Sequence, residues 1–342
     1  MRDIDISPEK DFYKQHRGDF MQLRTFWSMD EERYNDEMFE TTFVKGAGKS
    51  GMKMWFSKNK ILFIKELSSG DRESLKNIMK KYTIYMLENK DSLLPKFHGV
   101  YKNGNTVFIV QENLNQYDKG TWVYDLKGSR RHRTTDEFSI EKIGKDNNFG
   151  SSKIYMEKAE EVKEQMRKDT NFLQENNLMD YSLLTCIRNE EGKEGKEKNW
   201  IKSNRKYCCK FQGPGPLPIT DVNLNIGIID ILQNYNMKKA LESFFRTKQH
   251  ANSRHKSEVS AINSKSYKKR FDIYMNSILR PYEELEIKPN EDIFIGGSLG
   301  KKRKKKRKKK RTKKRIKKRT KKRTKRTKRT KKNKRRKKRR IN

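Results

Sequence analysis

Between residues 40 and 115 the apolar pattern changes period twice, and any fold must accommodate that order. "MKMWFSKNKILFIKEL" holds two short apolar runs around "SKNK", a hairpin pattern. In "GDRESLKNIMKKYTIYMLE", Leu75, Ile78, Met79, Tyr82 and Met86 recur at i, i+3, i+4, i+7 and i+11. That spacing predicts an amphipathic helix, with Asp71 at its capping position. "LLPKFHGVYKNGNTVFIVQENL" then places Asn103-Gly104 between two β-rich runs, a second hairpin. The order is strand, strand, helix, strand, strand.

Residues 10–40 read as helix, with Phe20, Leu23, Arg24 and Trp27 at helical spacing. Residues 121–150 read as polar and irregular around "YDLKGS". Residues 153–176 read as helix, with Tyr155, Ala159, Val162, Met166 and Leu173 on one stripe. "MDYSLLTCI" is a short apolar run, and "NIGIIDIL" a candidate buried strand. Residues 188–206 are charged and read as structureless, "QGPGPLP" is a loop, and 266–279 a helix.

Composition matters because it is uneven. Only 32% of the 342 residues are hydrophobic, but residues 301–342 hold 33 Lys or Arg and no acidic residue. Taking those 33 charges from the formal net charge of +40 leaves about +7 on the body, which can bury an ordinary core. The tail, with KKRT-like units and almost no apolar residue, reads as a disordered polycation. No apolar run approaches the roughly 18–20 residues of a membrane span. The N-terminus has no apolar signal region, so a secretory signal is not expected. Cys186, Cys208 and Cys209 are odd in number and form no CxxC, which argues against a disulfide framework or a zinc site. The five histidines are scattered and none is assigned to a metal. A reducing, intracellular compartment is the expectation.

"KGAGKSGMK" at 45–53 resembles a P-loop without being one. A Walker A loop would need glycine at position 43, which is Phe43, and would lead into a helix rather than the strand pattern "MKMWF". A kinase-type glycine loop joins two strands and lies over nucleotide phosphates. The following strand should carry a phosphate-pairing lysine, and Lys65 ends "ILFIK". The next helix should carry a glutamate to hold it, and Glu73 is on that helix. Taken singly, a strand-end lysine such as Lys65 is usually just solvated. Asp180 in "LMDYSLL" and Asp230 in "IGIIDIL" are lone acids in apolar stretches. Each could be a capping aspartate, or a carboxylate whose partner is a metal ion or a proton in transfer.

"GKSG…FIKEL", "SLLPKFHGVY", "YDLKGS", "KDNNF", "DTNFLQENNLMDYSLL", "IGIIDILQNYN" and "YKKRF" occur in that order. Over roughly residues 12–280 the chain resembles the phosphatidylinositol phosphate kinases. The resemblance implies an α+β, two-lobed, kinase-like fold. Its N-terminal lobe would span 12–120 and its C-terminal lobe 121–290, with the basic tail over 291–342. It implies transfer of the γ-phosphoryl of ATP, with Mg2+, to an inositol-ring hydroxyl of a phosphatidylinositol monophosphate in an anionic membrane. By resemblance, Gly48, Lys49, Ser50 and Gly51 cover the phosphates. Lys65 is the ATP lysine and Glu73 its partner. Lys127 contacts phosphate, Asp180 is the catalytic aspartate and Asp230 the magnesium ligand. Arg133 is expected near the substrate. The substrate-choosing segment falls at about 246–264, where Lys248, Arg254 and Lys256 suit a phosphorylated headgroup.

The chain departs from the family at Met52 and Lys53, where serine and aromatics are usual, and at Ser264, where proline is frequent. The acceptor stays open between the 5-hydroxyl of the 4-phosphate lipid and the 4-hydroxyl of the 5-phosphate lipid. The tail's charge suits nucleic acid, anionic membrane or a nuclear address alike. Expected locations are therefore cytoplasmic and peripheral at membranes, or nuclear, and a homodimer is a further expectation. The competing reading is a catalytically weak, kinase-like adaptor that binds membrane or nucleic acid through its tail. A kinase for soluble inositol phosphates is a third.

Overall fold

A computed structural model of the chain describes residues 6–40, 44–46, 54–57, 60–115, 120–189, 206–214, 219–234 and 263–286. The first lobe is built in chain order from β1 (Ser7–Pro8), α1 (Lys10–Phe26), α2 (Glu31–Asn35), a π-helical turn (Asp36–Glu40), β2 (Val44–Gly46), β3 (Met54–Phe56), β4 (Leu62–Glu66), α3 (Ser69–Glu88), β5 (Phe97–Asn103) and β6 (Thr106–Glu112). Its six strands form one antiparallel sheet in the order β1-β5-β6-β4-β3-β2. Both predicted hairpins are present: β3 pairs with β4, and β5 with β6 around Gly104 at φ 55°.

The α3 stripe of Leu75, Ile78, Met79, Tyr82 and Met86 is buried. The helix starts earlier than expected. Its cap is Ser68, whose side chain accepts from the Asp71 N–H at 3.1 Å. The single helix read over 10–40 is in fact broken. α1 stops at Phe26, Ser28 takes φ 58°, and Asp30 caps α2. The break folds the chain back so that Glu31 meets the buried Arg24 at 2.7 and 2.8 Å, while Arg24 also donates to the His98 carbonyl.

The second lobe follows with β7 (Thr121–Leu126), β8 (Gly144–Lys145), α4 (Asp146–Phe149), β9 (Lys153–Met156), α5 (Ala159–Glu175), β10 (Ser182–Asn189), β11 (Lys206–Gln212), β12 (Ile219–Ile229), α6 (Ser264–Ile278), β13 (Leu279–Pro281) and α7 (Glu283–Glu286). Its sheet runs β13-β9-β11-β12-β10-β7-β8, antiparallel inside and parallel at both edges. Residues 121–126, read from sequence as irregular, are a strand paired with β10. Residues 153–156, read as the start of a helix, are β9. Tyr155 faces Lys210 across a ladder instead of continuing the α5 stripe. "NIGI" is buried near the end of β12, as its apolar run implies, and Ile229 after it is half-buried.

The lobes are joined by polar contacts. Asp169 on α5 is fully buried and accepts from Tyr85 Oη at 2.7 Å, Ser92 Oγ at 2.8 Å, the Leu93 N–H at 2.7 Å and Gln165 Nε2 at 3.0 Å. The Ile228 N–H donates to the Leu93 carbonyl at 2.7 Å, and Asn225 Nδ2 to the Leu114 carbonyl at 3.1 Å. Gly227 makes this approach sterically accessible, since a Cβ there would lie 2.5 Å from Leu114 Cδ1. Among the described residues no helix is long and apolar enough to cross a membrane.

Candidate active site

Three neighbouring strands end together. Leu126 of β7 pairs with Leu183 of β10, and Ser182 of β10 pairs with Ile229 of β12. Lys127 follows β7, Asp180 precedes β10 by two residues, and Asp230 follows β12. Sheet register alone therefore delivers these three side chains to one edge. Lys65 reaches the same place from β4 of the first lobe and forms an ion pair with Asp230. Lys127 Nζ lies 2.9 Å from Asp180 Oδ1 and 2.6 Å from the Asp180 carbonyl oxygen. All four line one cleft between the lobes, with Asp71, Gln111 and Gln233, and with Leu67, Pro95, Phe97, Ile231 and Leu232 as its apolar part.

Asp180 and Asp230 share a further property. Their φ angles are 64° and 59°, in the left-handed region that side-chain-bearing residues rarely occupy. Such conformations cost about 1–3 kcal/mol and cluster where geometry serves function. Local bracing holds them: the Met179 N–H donates to the Gln233 carbonyl at 2.9 Å, and Leu178 bridges to Asn234. Beneath Asp180, the Tyr267 hydroxyl donates to the Tyr181 carbonyl. Burial first, and then the Asp180 charge, push the Tyr267 phenol well above its ordinary pKa, so it stays a neutral donor.

In this structure Glu73 does not pair with Lys65, whose ion pair is with Asp230. Glu73 is exposed and lines a separate recess with Glu66 and Lys76. The reason is phase. Lys65 and Glu66 are adjacent on a strand and point to opposite faces. On α3, residues two apart are about 200° apart, so the helix turns Asp71, and not Glu73, toward the Lys65 cleft.

The guanidinium of Arg133, the residue expected near the substrate, is held by protein carboxylates. It donates from Nε to Asp146 Oδ2 at 2.7 Å, from Nη2 to Asp125 Oδ1 at 2.8 Å, and to the Asp125 carbonyl. Burial works against its charge, but Asp125 and Asp146 outweigh burial and raise its pKa above the ordinary arginine value. Gly48, Lys49, Ser50 and Gly51, and Lys248, Arg254 and Lys256, lie outside the described residues, as does the basic tail. Two acids that no chemical reading of the sequence had assigned to the site are Asp71 and Asp146. The second stands in "KDNNF", a stretch that carried the family resemblance without a role.

The sequence model of the phosphatidylinositol-4-phosphate 5-kinase family matches residues 38–211 and 218–278. The chain belongs to the phosphatidylinositol phosphate kinase family. Its two sheets and the cleft between them are that family's two-lobed, kinase-like α+β fold. Curated relatives include phosphatidylinositol 5-phosphate 4-kinase type-2 beta of Mus musculus, 26% identical over 316 residues, which cover 76% of this chain and 75% of the relative. The type-2 alpha enzyme of Mus musculus is 28% identical over 315 residues, covering 76% of each. The type-2 gamma enzyme of Xenopus tropicalis is 27% identical over 311 residues, covering 76% of this chain and 73% of the relative.

Proposed function

We propose that this phosphoinositide kinase transfers the γ-phosphoryl of ATP to the 4-hydroxyl of phosphatidylinositol 5-phosphate, giving the 4,5-bisphosphate. The observation that carries the reading is the convergence of two Lys–Asp pairs on one cleft, Lys65 with Asp230 and Lys127 with Asp180. Phosphoryl transfer depends on positioning and charge neutralisation, which this set supplies. Lys65 and Lys127 bind phosphate oxygens. Asp180 orients the inositol hydroxyl and accepts its proton. Leu67, Phe97, Ile231 and Leu232 offer an apolar bed for the base. The choice of acceptor follows the relatives named as 5-phosphate 4-kinases.

Mg2+ commonly takes one or two protein carboxylates, with phosphate oxygens and water completing its shell. Among the described residues no group of three or more His, Cys, Asp or Glu gathers as a self-sufficient cage. The cleft carboxylates Asp230 and Asp71 fit that sparse donor set and would hold the ion. Bound there, it would neutralise charge on the phosphates.

The tail's 33 cationic residues over 301–342 form a second anion-binding segment, and we place the protein peripherally at anionic membranes. The test presents radiolabelled MgATP to vesicles carrying each monophosphorylated phosphoinositide in turn. The reading expects label on phosphatidylinositol 5-phosphate. Label on the 4-phosphate lipid alone would replace the acceptor, and label on none would overturn the function. A chain ended at Gly300 should label vesicles more slowly. An unchanged rate would assign the tail to another polyanion, with nucleic acid the first to try.

A further inference from the structure

We infer that Asp146, braced by Arg133, is a positioning residue that fixes the backbone from which Lys127 reaches Asp180. The inference rests on the kinase reading of the cleft. Lys127 follows the last residue of β7, so its N–H and the next two have left the strand ladder. Donors in a half-buried loop need partners. Asp146 takes all three. Its Oδ1 accepts from Lys127 at 3.1 Å, Gly128 at 2.7 Å and Ser129 at 3.1 Å.

The carboxylate itself is held in turn. Its side chain is only 2% exposed, and Arg133 Nε donates to its Oδ2 at 2.7 Å. A charge so far from water persists only with nearly complete hydrogen bonding. Through Nη2 the same guanidinium grips Asp125, two residues before Lys127. Both sides of Lys127 are thereby tied to one ion cluster. The segment beyond is locked to α4: the Asn147 N–H donates to the Arg133 carbonyl at 2.9 Å, and Asn148 Oδ1 accepts from Thr135 N at 2.8 Å. Gly128 closes the turn at φ 68°, where a Cβ would lie 2.9 Å from Tyr274 Cβ and 3.2 Å from the Arg270 carbonyl. A lysine stem is flexible. Its reach toward Asp180 is reproducible only if its Cα is fixed, and Asp146 fixes it.

A scaffold role would also use a buried carboxylate, so the discriminating property is dependence on Lys127. The experiment is a double-mutant cycle in the full chain with Asp146→Asn, Lys127→Met and the double variant. Readouts are binding of Mg2+ with the non-hydrolysable analogue AMP-PNP, kcat and KM on lipid vesicles, and melting temperature. Asp146→Asn is expected to weaken analogue binding and lower kcat about tenfold, the scale of a charge-assisted hydrogen bond. Lys127→Met should cost at least as much, and the double variant no more than Lys127→Met alone. Single effects that multiply in the double variant would overturn the proposal, as would a Lys127→Met protein that binds and turns over like wild type. If Asp146→Asn does not fold, Arg133→Lys takes its place in the cycle. It keeps the charge but loses the planar fork that reaches Asp146 from Nε and Asp125 from Nη2, and the same non-additivity is expected. A wild type that binds the analogue but labels no lipid overturns the function reading alone, and the binding cycle still decides the role of Asp146. A wild type that does neither overturns both.

Discussion

Which acid of α3 faces the cleft is decided by where each helix residue points. Asp71 lines the cleft and Glu73 the recess behind it. Asp71→Asn should therefore lower kcat/KM for MgATP about tenfold, the usual cost of losing a group that supports a metal or phosphate site. Glu73→Gln should change it by less than about twofold, since exposed charges away from a site count for little. Steady-state kinetics on the two variants check this, and a reversed ranking would restore Glu73 as the functional acid of α3. Cysteine chemistry offers a second residue-scale outcome. Burial pushes the Cys186 thiol up to about 12, and burial, followed by the neighbouring Cys208, does the same for Cys209. Cys208 is exposed. Iodoacetamide at pH 8 should alkylate Cys208 first and the other two only on denaturation. Mass spectrometry reads the sites, and rapid labelling of Cys186 in folded protein would contradict the packing of β10. Lys65, Asp180 and Asp230 were nameable from sequence because each interrupts or ends an apolar run, whereas Lys127 was named only through the family resemblance carried by "DLKGS". Asp71 was not nameable, because a first-turn acid looks like a cap. Asp146 was not, because its importance lies in backbone donors 17 to 19 residues away.

At the scale of elements, long periodic patterns were legible and short strands were not. The stripe of α3 and the Asn103-Gly104 hairpin carry their own signal. β7 is six residues with an aspartate inside, and β9 is four residues just before a helix. Both are strands because β10 and β11 offer them ladders, a tertiary cause that local propensity does not contain. Close contact between elements is testable at Gly227, where β12 meets Leu114 from the connection after β6. Gly227→Ala should destabilise the protein by about 1–3 kcal/mol through overpacking. It should also disturb the cleft, since Asp230 lies three residues on. Chemical denaturation measures the first effect and MgATP KM the second. A fully neutral Gly227→Ala would show that the two segments are not in contact.

At the scale of the molecule, Asp169 ties α5 to α3 and to the connection between α3 and β5. Burial raises its carboxyl pKa above the ordinary value of 3.8, and its four donors only partly offset this. The sign follows from linkage. A group whose folded pKa is raised binds more protons when folded, so its contribution is complete below the unfolded value. It is lost as pH rises through the folded value. The stability advantage of wild type over Asp169→Asn should therefore be largest near pH 4 and shrink toward neutrality. About 2 kcal/mol should remain from the Leu93 N–H that asparagine leaves facing a second donor. Urea titrations of both proteins across pH 4 to 7 measure the difference, and an advantage that grows with pH would reverse the assignment. The two-lobed plan was readable because motifs from both lobes occur in family order. The polar seam between lobes was not, since it is made by residues distant in sequence.

The cleft account turns on Asp180 as the acceptor of the inositol hydroxyl proton. The most direct measurement is the initial rate of phosphoryl transfer from MgATP to phosphatidylinositol 5-phosphate vesicles by wild type and Asp180→Asn. Matched melting curves would verify that both are folded, and the soluble headgroup would run in parallel. The account predicts product from wild type on vesicles, little on the soluble headgroup, and a loss of about 10³-fold in Asp180→Asn, within the range of general-base removal. An Asp180→Asn protein that turns over vesicles at the wild-type rate would contradict it.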